Sequence, residues 1–448
     1  SAHQPGWSGS EQPLEPPHLE PNLEHAAKAV GACRTFNYDV YKKLGDKLGF
    51  VVSEPLFRQL TSFSFVNRIQ QRGETWFQVH QLLRRILRDS CADLLRRADE
   101  VLTSYYEQAG VDGTVDAIYH RSRLDWQAGI TDWAKTLESA VDNSQFVLCR
   151  ALINLGPDLI VGDDFSRGRL LRCEAEYKKA TGLYSNAIDI GFQASALFDS
   201  VLATNPRHVR ALSEKASILI TVGEAHAELT HNVLSVRCYT DAICACDAAL
   251  QYAPDDIKAR NNRATAMISI ADLESERAQY KKAITRYQKA LEDLAHILNR
   301  APNHLEALTN RGYALSSLGE IQADLAQHEA AASSFAAAMS AYDAALVIKQ
   351  DLIASNNKAY ALAGMAESYA KALQFDKSIE SSHAAVAVYD EILRGAPEDH
   401  TVHSNKARAL AFLADSLSAR REASSASSVL AQTAAAADEA LRLAPEDI

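Results

Sequence analysis

Apolar positions in the second half of the chain recur every three or four residues, as on one face of an amphipathic helix, and the pattern repeats after about 48 residues. The clearest column is a leucine four residues before each turn, with steps of 48, 48, 48, 47 and 48 residues. It comprises Leu202, Leu250, Leu298, Leu346, Leu393 and Leu441. A fixed register over six segments predicts an array of structural repeats.

Small residues form further columns of the same period. Ten residues after the turn stand Ala216, Ala264, Gly312 and Ala407, and seventeen after it stand Gly223, Ala271, Gly319 and Ala414. Before the turn come Ala194, Ala242, Ala290, Ala338 and Ala385. We therefore predict one antiparallel helix pair per repeat, which can bury its apolar face only by stacking on its neighbours.

Two places depart from this register. The fourth turn has Gln350 where the others have proline, and the next small residues look displaced, with Gly364 among them. This predicts a register shift and a longer loop near residues 350–357. Upstream, a turn at Pro157 with Ile153 in the leucine column indicates a degenerate first unit.

Residues 63–87 follow a different pattern. "FSFVNRIQ" and "TWFQVH" alternate apolar and polar residues on either side of Arg72 and Gly73, which predicts a β-hairpin. Helical segments precede the hairpin, and one long helix over 80–109 is expected to follow it. This order is typical of a winged-helix module.

The charge and composition of the chain limit the classes of partner that we expect. The chain has 47% hydrophobic and 23% charged residues and a net charge of -11, so no direct nucleic-acid contact is expected. The arginines after the hairpin, such as Arg84 and Arg88, share their helix with Asp89, Asp93 and Asp99. No run of eighteen apolar residues occurs, which favours a cytoplasmic protein without a membrane segment.

The sequence contains none of the common catalytic or metal-binding motifs. Seven cysteines occur without a C-x-x-C pair, and His400 and His403 have no third ligand nearby in the sequence, so no metal is expected. No P-loop, nucleophile elbow or dinucleotide loop occurs. The sequence therefore predicts no enzyme and no cofactor in this chain.

The repeats resemble tetratricopeptide repeats. "HLEALTNRGYALSSLG" (304–319) is similar to their first helix, with Gly312, Leu315 and Gly319 at signature places, and "ASSFAAAMSAYDAAL" is similar to their second. The family has 34 residues per repeat, and fourteen more would add about two turns to each helix. The predicted fold is mostly α, a small winged-helix module followed by a superhelix of elongated tetratricopeptide-like pairs.

The same resemblance implies a binding face. First helices of such arrays line a concave wall, where an asparagine amide can both donate to and accept from a peptide backbone. The candidate ladder comprises Asn262, Asn310 and Asn405 with Glu214, and the neighbouring basic residues Lys215, Arg263, Arg311 and Lys406. The alternatives are that the amides bond local backbone and that the basic side chains are solvated.

The first part resembles a second family. "L-x-x-F-S-F-V" followed by "F-x-V-H-x-L-L-R-R-I-L" is similar to the winged-helix segment of signal-transduction ATPases with numerous domains, over about residues 54–140. The resemblance implies that His80 senses whether ADP or ATP is bound, although its neighbours are Val79 and Gln81. ATP or ADP and Mg²⁺ are then expected only with an upstream nucleotide-binding domain. The alternative is a histidine that bonds its own backbone.

These patterns give a domain plan and three functional hypotheses. The plan is a flexible leader (1–21), a winged-helix module with a long exit helix (22–110), a helical connector (111–157) and repeats (158–448). The chain is read first as the non-catalytic sensor region of such an ATPase, with a protein or peptide trigger and possible oligomerisation. The second hypothesis is a free-standing adaptor, and the third is the small-ligand sensor of a transcription regulator.

Overall fold

The computed structural model describes residues 20–71 and 73–444. The predicted leader, residues 1–21, lies outside the described residues except for its last two, and Pro21 is the first residue of helix α1. Pro445, the sixth predicted turn, also lies outside them. The chain divides into two compact units between Cys173 and Glu174.

The first unit begins with three helices and a hairpin. These are α1 (Pro21–Val30), α2 (Tyr38–Leu48), α3 (Glu54–Thr61), β1 (Val66–Gln71) and β2 (Glu74–Val79). After them come α4 (Gln81–Ser90), α5 (Ala92–Gln108), α6 (Thr114–Leu124), α7 (Trp126–Asp142) and α8 (Phe146–Leu155). Helix α9 (Asp164–Ala180) begins in this unit and ends in the second.

The hairpin is antiparallel, with Val66 opposite Val79 and Ile69 opposite Trp76. Phe36, in the connection between α1 and α2, adds one further antiparallel bridge to Phe77. Val66 and its cross-strand partner Val79 share one face of the hairpin, whereas Trp76, three residues before Val79, points to the other face, and all three are buried in the core of this unit. The hairpin therefore closes one side of the helical core of this unit.

The single long helix predicted over 80–109 is wrong, because the structure breaks it at Cys91. The backbone of Cys91 leaves the helical region (φ -132°, ψ 35°), while its N–H still bonds the Leu87 carbonyl. Leu87 of α4 and Leu95 of α5 lie on either side of the break and are both buried in the same core.

The second unit is a stack of helix pairs. Its first helices are α11 (Val209–Glu228), α13 (Ile257–Glu276), α15 (Leu305–Asp324), α17 (Leu352–Lys371) and α19 (His400–Ala419), each of 20 residues. Its second helices are α10 (Tyr184–Thr204), α12 (Asn232–Tyr252), α14 (Tyr280–Arg300), α16 (His328–Ile348), α18 (Phe375–Gly395) and α20 (Ala423–Leu443), each of 21 residues. The mostly α, superhelical fold and the elongated pairs are confirmed.

Each first helix starts at a capping side chain, which accepts a hydrogen bond from the backbone N–H three residues on. The caps are His208, Asp256, His304, Asp351 and Asp399. Three-residue turns join the two helices of a pair. Their middle residues have positive φ, including Thr230, Ala278, Ala326, Leu373 and Arg421.

The small-residue columns let aromatic rings reach the first helix. A Cβ on Gly312 would lie 2.7 Å from the Tyr342 ring, and one on Gly319 would lie 3.0 Å from the Phe335 ring. Gly223 faces Tyr239 in the same way, at 2.6 Å. These rings belong to the second helix of the same pair, so they fix how closely the two helices approach.

The loop predicted near 350–357 is wrong. Helix α16 ends at Ile348 and α17 begins at Leu352, so the turn has three residues, one fewer than the other turns between pairs. Counted from the start of α17, Ala359 and Ala366 occupy the small columns, so the register shifts only by the one residue that the turn lacks. Gly364 has a different role, because a Cβ there would lie 2.6 Å from the Phe335 ring of the preceding helix.

By length and apolar composition alone, one described helix, α16, could cross a membrane. Nine of its 21 residues are alanine, and its buried residues include Phe335, Ala338 and Tyr342. The helix packs against both α15 and α17. This is the environment of a core helix in a repeat array.

We predict that Gly312→Ala destabilises the second unit by about 1–3 kcal/mol, because the Tyr342 ring must move to admit the methyl group. Gly395→Ala is the matched control. A Cβ at Gly395, at the end of α18, meets nothing within 4 Å, so alanine should be neutral or stabilise by up to about 1 kcal/mol. Urea unfolding followed by circular dichroism measures both, and equal midpoints for the two variants would contradict the role of this contact.

Candidate functional site

The candidate site is the face of the second unit on which successive first helices touch each other, here called the inner face. Helix α11 contacts α13, α13 contacts α15, α15 contacts α17 and α17 contacts α19. A residue at one position of the repeat therefore has its equivalent on the next helix beside it. Periodic columns of the sequence become continuous rows along this face.

The asparagine column lies on the inner face and is partly engaged. Asn262 donates from Nδ2 to the Ser213 carbonyl of the preceding first helix at 3.0 Å. Asn310 donates to Thr265 Oγ1 at 3.1 Å. Glu214, at the same position of α11, is buried and accepts from Lys258 Nζ at 2.8 Å. These bonds tie neighbouring pairs together.

The other members of the column are less constrained. Asn405 is half-buried and makes no hydrogen bond within residues 20–71 and 73–444. Asn357, which the sequence analysis missed, occupies the same position of α17 and lies close enough to the Tyr342 hydroxyl to oppose the rise in its pKa that burial causes. Counting from the capping residue Asp351 instead of from Gln350 would have found it.

The basic column points toward the second helices and not along the inner face. Each of four members pairs with an aspartate on the second helix that precedes it, at 2.5–2.6 Å: Lys215 with Asp199, Arg263 with Asp247, Lys358 with Asp343 and Lys406 with Asp390. Adjacent helix residues project about 100° apart, which separates this column from the asparagines. Each exposed pair contributes about 0–1 kcal/mol.

Arg311 is the exception in this column. Ala295 stands on α14 where the other second helices have the aspartate, and Arg311 is exposed. It makes no ion pair with any described residue. Of the predicted basic residues, Arg311 alone has a guanidinium free to meet a partner.

An acidic column on the first helices was also missed. It comprises Glu176 on α9, which precedes α10, and one carboxylate on each first helix: Glu224, Asp272, Glu320, Glu367 and Asp415. Its steps of 48, 48, 48, 47 and 48 residues equal those of the leucine column, so the spacing could have revealed it. Glu224 accepts from Lys179 at 2.5 Å, and Glu367 pairs with Lys371 within its own helix at 2.7 Å.

Asp272 is the most perturbed member of the acidic column. Burial raises its pKa to about 6, and the hydroxyls of Tyr287 and Tyr313, which donate to it, oppose this shift. Tyr313 is still 41% exposed. Glu320 also has a raised pKa through burial, opposed by a hydrogen bond from Tyr360. The middle of the inner face therefore combines carboxylates with tyrosine hydroxyls.

Arg408 extends this row of side chains. Its guanidinium lies 4.2 Å from the centre of the Tyr360 ring, and its Nη1 is 3.4 Å from the Tyr360 hydroxyl. Tyr313, Tyr360 and Arg408 occupy the same position of three successive first helices. The face thus offers aromatic, cationic and anionic groups in register.

His80 lies in the first unit, between β2 and α4. It is exposed, and its Nδ1 accepts from the Leu82 N–H at 3.3 Å, so the side chain caps α4. Further along α4, Arg84 and Arg88 both donate to the Tyr119 hydroxyl of α6. The helix that starts at His80 is therefore joined by polar bonds to α6.

Comparison with known proteins gave structural matches only. No protein-family model and no curated protein matches this sequence. A signal-transduction ATPase with numerous domains and a tetratricopeptide repeat sensor, from Pyrococcus horikoshii, is 14% identical over 96% of this chain with a TM-score of 0.47, and this chain covers 65% of it.

Two further structures are similar at the same level. Aspartyl phosphate phosphatase F from Bacillus subtilis is 11% identical over 94% of this chain and 96% of its own, with a TM-score of 0.45. The quorum sensor NprR from B. thuringiensis is 12% identical over 89% of this chain and 98% of its own, with a TM-score of 0.33. Similarity this low does not carry over a function.

We predict that Asp272 makes the second unit less stable as the pH rises. The folded state holds this proton up to about pH 6, whereas an unfolded aspartate loses it near pH 4. The stabilisation is therefore complete below about pH 4 and is lost as the pH passes about 6. Asp272→Asn should remove this component from the pH dependence of unfolding.

The exposed Asp438 of α20 supplies the matched control, Asp438→Asn. Urea midpoints between pH 4 and pH 7.5 measure the effect. If Asp272→Asn and the wild type lose stability in parallel over this range, the assignment is wrong.

Proposed function

We propose that this chain is the non-catalytic sensor region of a signal-transduction ATPase with numerous domains. In this proposal the inner face of the helix pairs recognises a segment of a protein or peptide trigger. The first unit acts as a winged-helix module and passes the binding event to an upstream nucleotide-binding domain. The recognition step is supported by one observation: half-exposed polar groups recur at the same position of successive first helices.

The repeat spacing suits an extended chain. Neighbouring helices pack about 8–10 Å apart, and an extended peptide advances about 3.3 Å per residue, so one repeat matches about three peptide residues. Asn310, Asn357 and Asn405 stand at this spacing on consecutive first helices. Their amides can accept from and donate to the peptide backbone at every third residue.

The side chains around the asparagines indicate the kind of segment. Asp272 and Glu320 favour lysine or arginine in the trigger, while the exposed ring of Tyr313 offers an apolar contact. Asn262 and Asn310 both donate to the preceding first helix, and the oxygen of each amide is left to accept from a peptide N–H. The proposed ligand is an extended segment with basic residues.

The coupling step rests on the sequence resemblance around His80. A change at the start of α4 would reach α6 through Arg84, Arg88 and Tyr119, since both arginines donate to the same hydroxyl. Nucleotide and Mg²⁺ would be held by the upstream domain and not by this chain. The adaptor hypothesis uses the same inner face but gives His80 no role.

We predict that peptides selected from a random twelve-residue display library on this chain include basic, extended ligands of the inner face. Combining Asn310→Ala with Asn405→Ala should weaken them by about tenfold, since each lost hydrogen bond costs about 0.5–1.5 kcal/mol. Gln251→Ala, at an exposed position of α12, is the control. Fluorescence anisotropy measures the affinities, and unchanged binding of every selected peptide by the asparagine variant would contradict the inner-face assignment.

We predict that His80→Ala and His80→Asn both accelerate ADP release from the complete gene product by about tenfold, the effect of losing one hydrogen bond to a charged phosphate. Asparagine keeps a side-chain acceptor that can cap α4, so this pair separates the two roles of the histidine. Stopped-flow with a fluorescent ADP analogue measures the rate. Release at the wild-type rate from His80→Asn would leave His80 a capping residue only, and a reading frame without an upstream P-loop would refute the ATPase.

A further inference from the structure

A groove of 710 Å³ opens in the second unit away from the inner face. Helices α12 and α14 form its walls, and α13 forms its floor. Ile243 and Met267 contribute half-buried apolar surface. Arg263, whose guanidinium is turned toward the second helices, lies in the floor.

One wall of the groove is unusually basic. Lys281, Lys282, Arg286 and Lys289 of α14 all line it, together with Thr285. The outer lysines, 281 and 289, are eight residues apart, which is about 12 Å along a helix. None of the other described second helices carries more than one lysine or arginine at these five positions. The row is therefore a property of this pair and not of the repeat.

The arginines in and beside the groove already form ion pairs with carboxylates of the protein. Arg263 is bonded by Asp247 at 2.6 Å and by both oxygens of the buried Asp293, at 2.7 and 2.8 Å. Arg260 adds a bond to Asp293 at 2.9 Å. Arg286 is held by Glu274 at 2.9 Å. These pairs neutralise the floor and fix its shape.

The lysines of the wall form no such ion pairs with the described residues. Lys281 and Lys289 are exposed and form no ion pair with the part of the chain that the structure describes. Among the described residues, Lys282 donates to the neutral amide of Gln279, at 2.9 Å. Three ammonium groups therefore form no ion pair within this part of the chain and lie beside the apolar surface of Ile243 and Met267.

We propose that this groove is a second docking site and that its occupant is an acidic, amphipathic segment of a partner protein. Carboxylates of the segment would meet Lys281 and Lys289, and an apolar side chain between them would cover Ile243 and Met267. The site is independent of the inner face, because its residues lie on the other side of α13. Its ligand would be acidic, whereas the trigger proposed for the inner face is basic.

Charge chemistry favours a peptide over a phosphate ligand. Phosphate is best held by the planar fork of an unpaired arginine, and both lining arginines are occupied by carboxylates. Nucleic acid would also bring its dense charge against Glu292 and Asp247, which line the same groove. Separate carboxylates on a protein segment can avoid these two anions.

The test is a selection from a random twelve-residue peptide display library on the full chain, with the Lys281→Glu and Lys289→Glu double variant as counter-selection. Peptides that bind the wild type alone should contain several aspartates or glutamates and at least one large apolar residue. Their affinity should fall by at least about tenfold in the double variant and should weaken with salt.

A matched double variant of Lys377→Glu and Arg394→Glu on α18 changes the net charge equally at exposed positions. It should bind like the wild type, and circular dichroism confirms that all variants fold. Met267→Gln should weaken binding a fewfold if the floor is contacted. The Asn310 and Asn405 variant should leave these peptides unaffected, so this proposal and the inner-face proposal can fail separately.

Three results would overturn the docking site. The first is enrichment of no acidic peptides. The second is an equal loss of binding in the α18 control variant, which would mean a general charge effect. The third is tighter lysine-dependent binding of inorganic polyphosphate or duplex DNA than of any selected peptide.

Discussion

In the pairs α11–α12 and α15–α16 of the second unit, a glycine of the first helix packs against a ring of the second helix, and the close approach of the two helices depends on this contact. Tyr239 packs on Gly223, Tyr342 on Gly312 and Phe335 on Gly319. Each ring lies so close that even a methyl group would displace it. This contact sets the distance and the rotation of the two helices.

Sequence spacing revealed the repeat but not the direction in which each column points. Asn262 and Arg263 are neighbours in the chain and looked like one ladder, yet one bonds the preceding first helix and the other bonds the second helices. Helix rotation in the packed array decides this, and a single sequence does not record it. The spacing of the acidic column is regular, but charged residues on a helix are usually solvated, so the spacing alone does not indicate a binding site.

The lengths of turns and the positions of helix breaks are the second feature that the sequence pattern does not predict. A missing proline at Gln350 suggested a longer loop, whereas the turn is one residue shorter and Asp351 still caps the next helix. At Cys91 the apolar periodicity continues across the break, so the pattern of residues 80–109 alone predicts one helix. In both places the tertiary contacts of the flanking helices determine the backbone, and these involve residues distant in sequence.

The replacement of aspartate by Ala295 has a consequence for the way the array comes apart. Repeat proteins unfold in blocks whose boundaries fall at their weakest interfaces. The described pairs of lysine or arginine with aspartate join α10 to α11, α12 to α13, α16 to α17 and α18 to α19, but nothing equivalent joins α14 to α15. We expect amide hydrogens on either side of this seam to exchange with solvent as two separate groups, so that the array behaves as two cooperative halves.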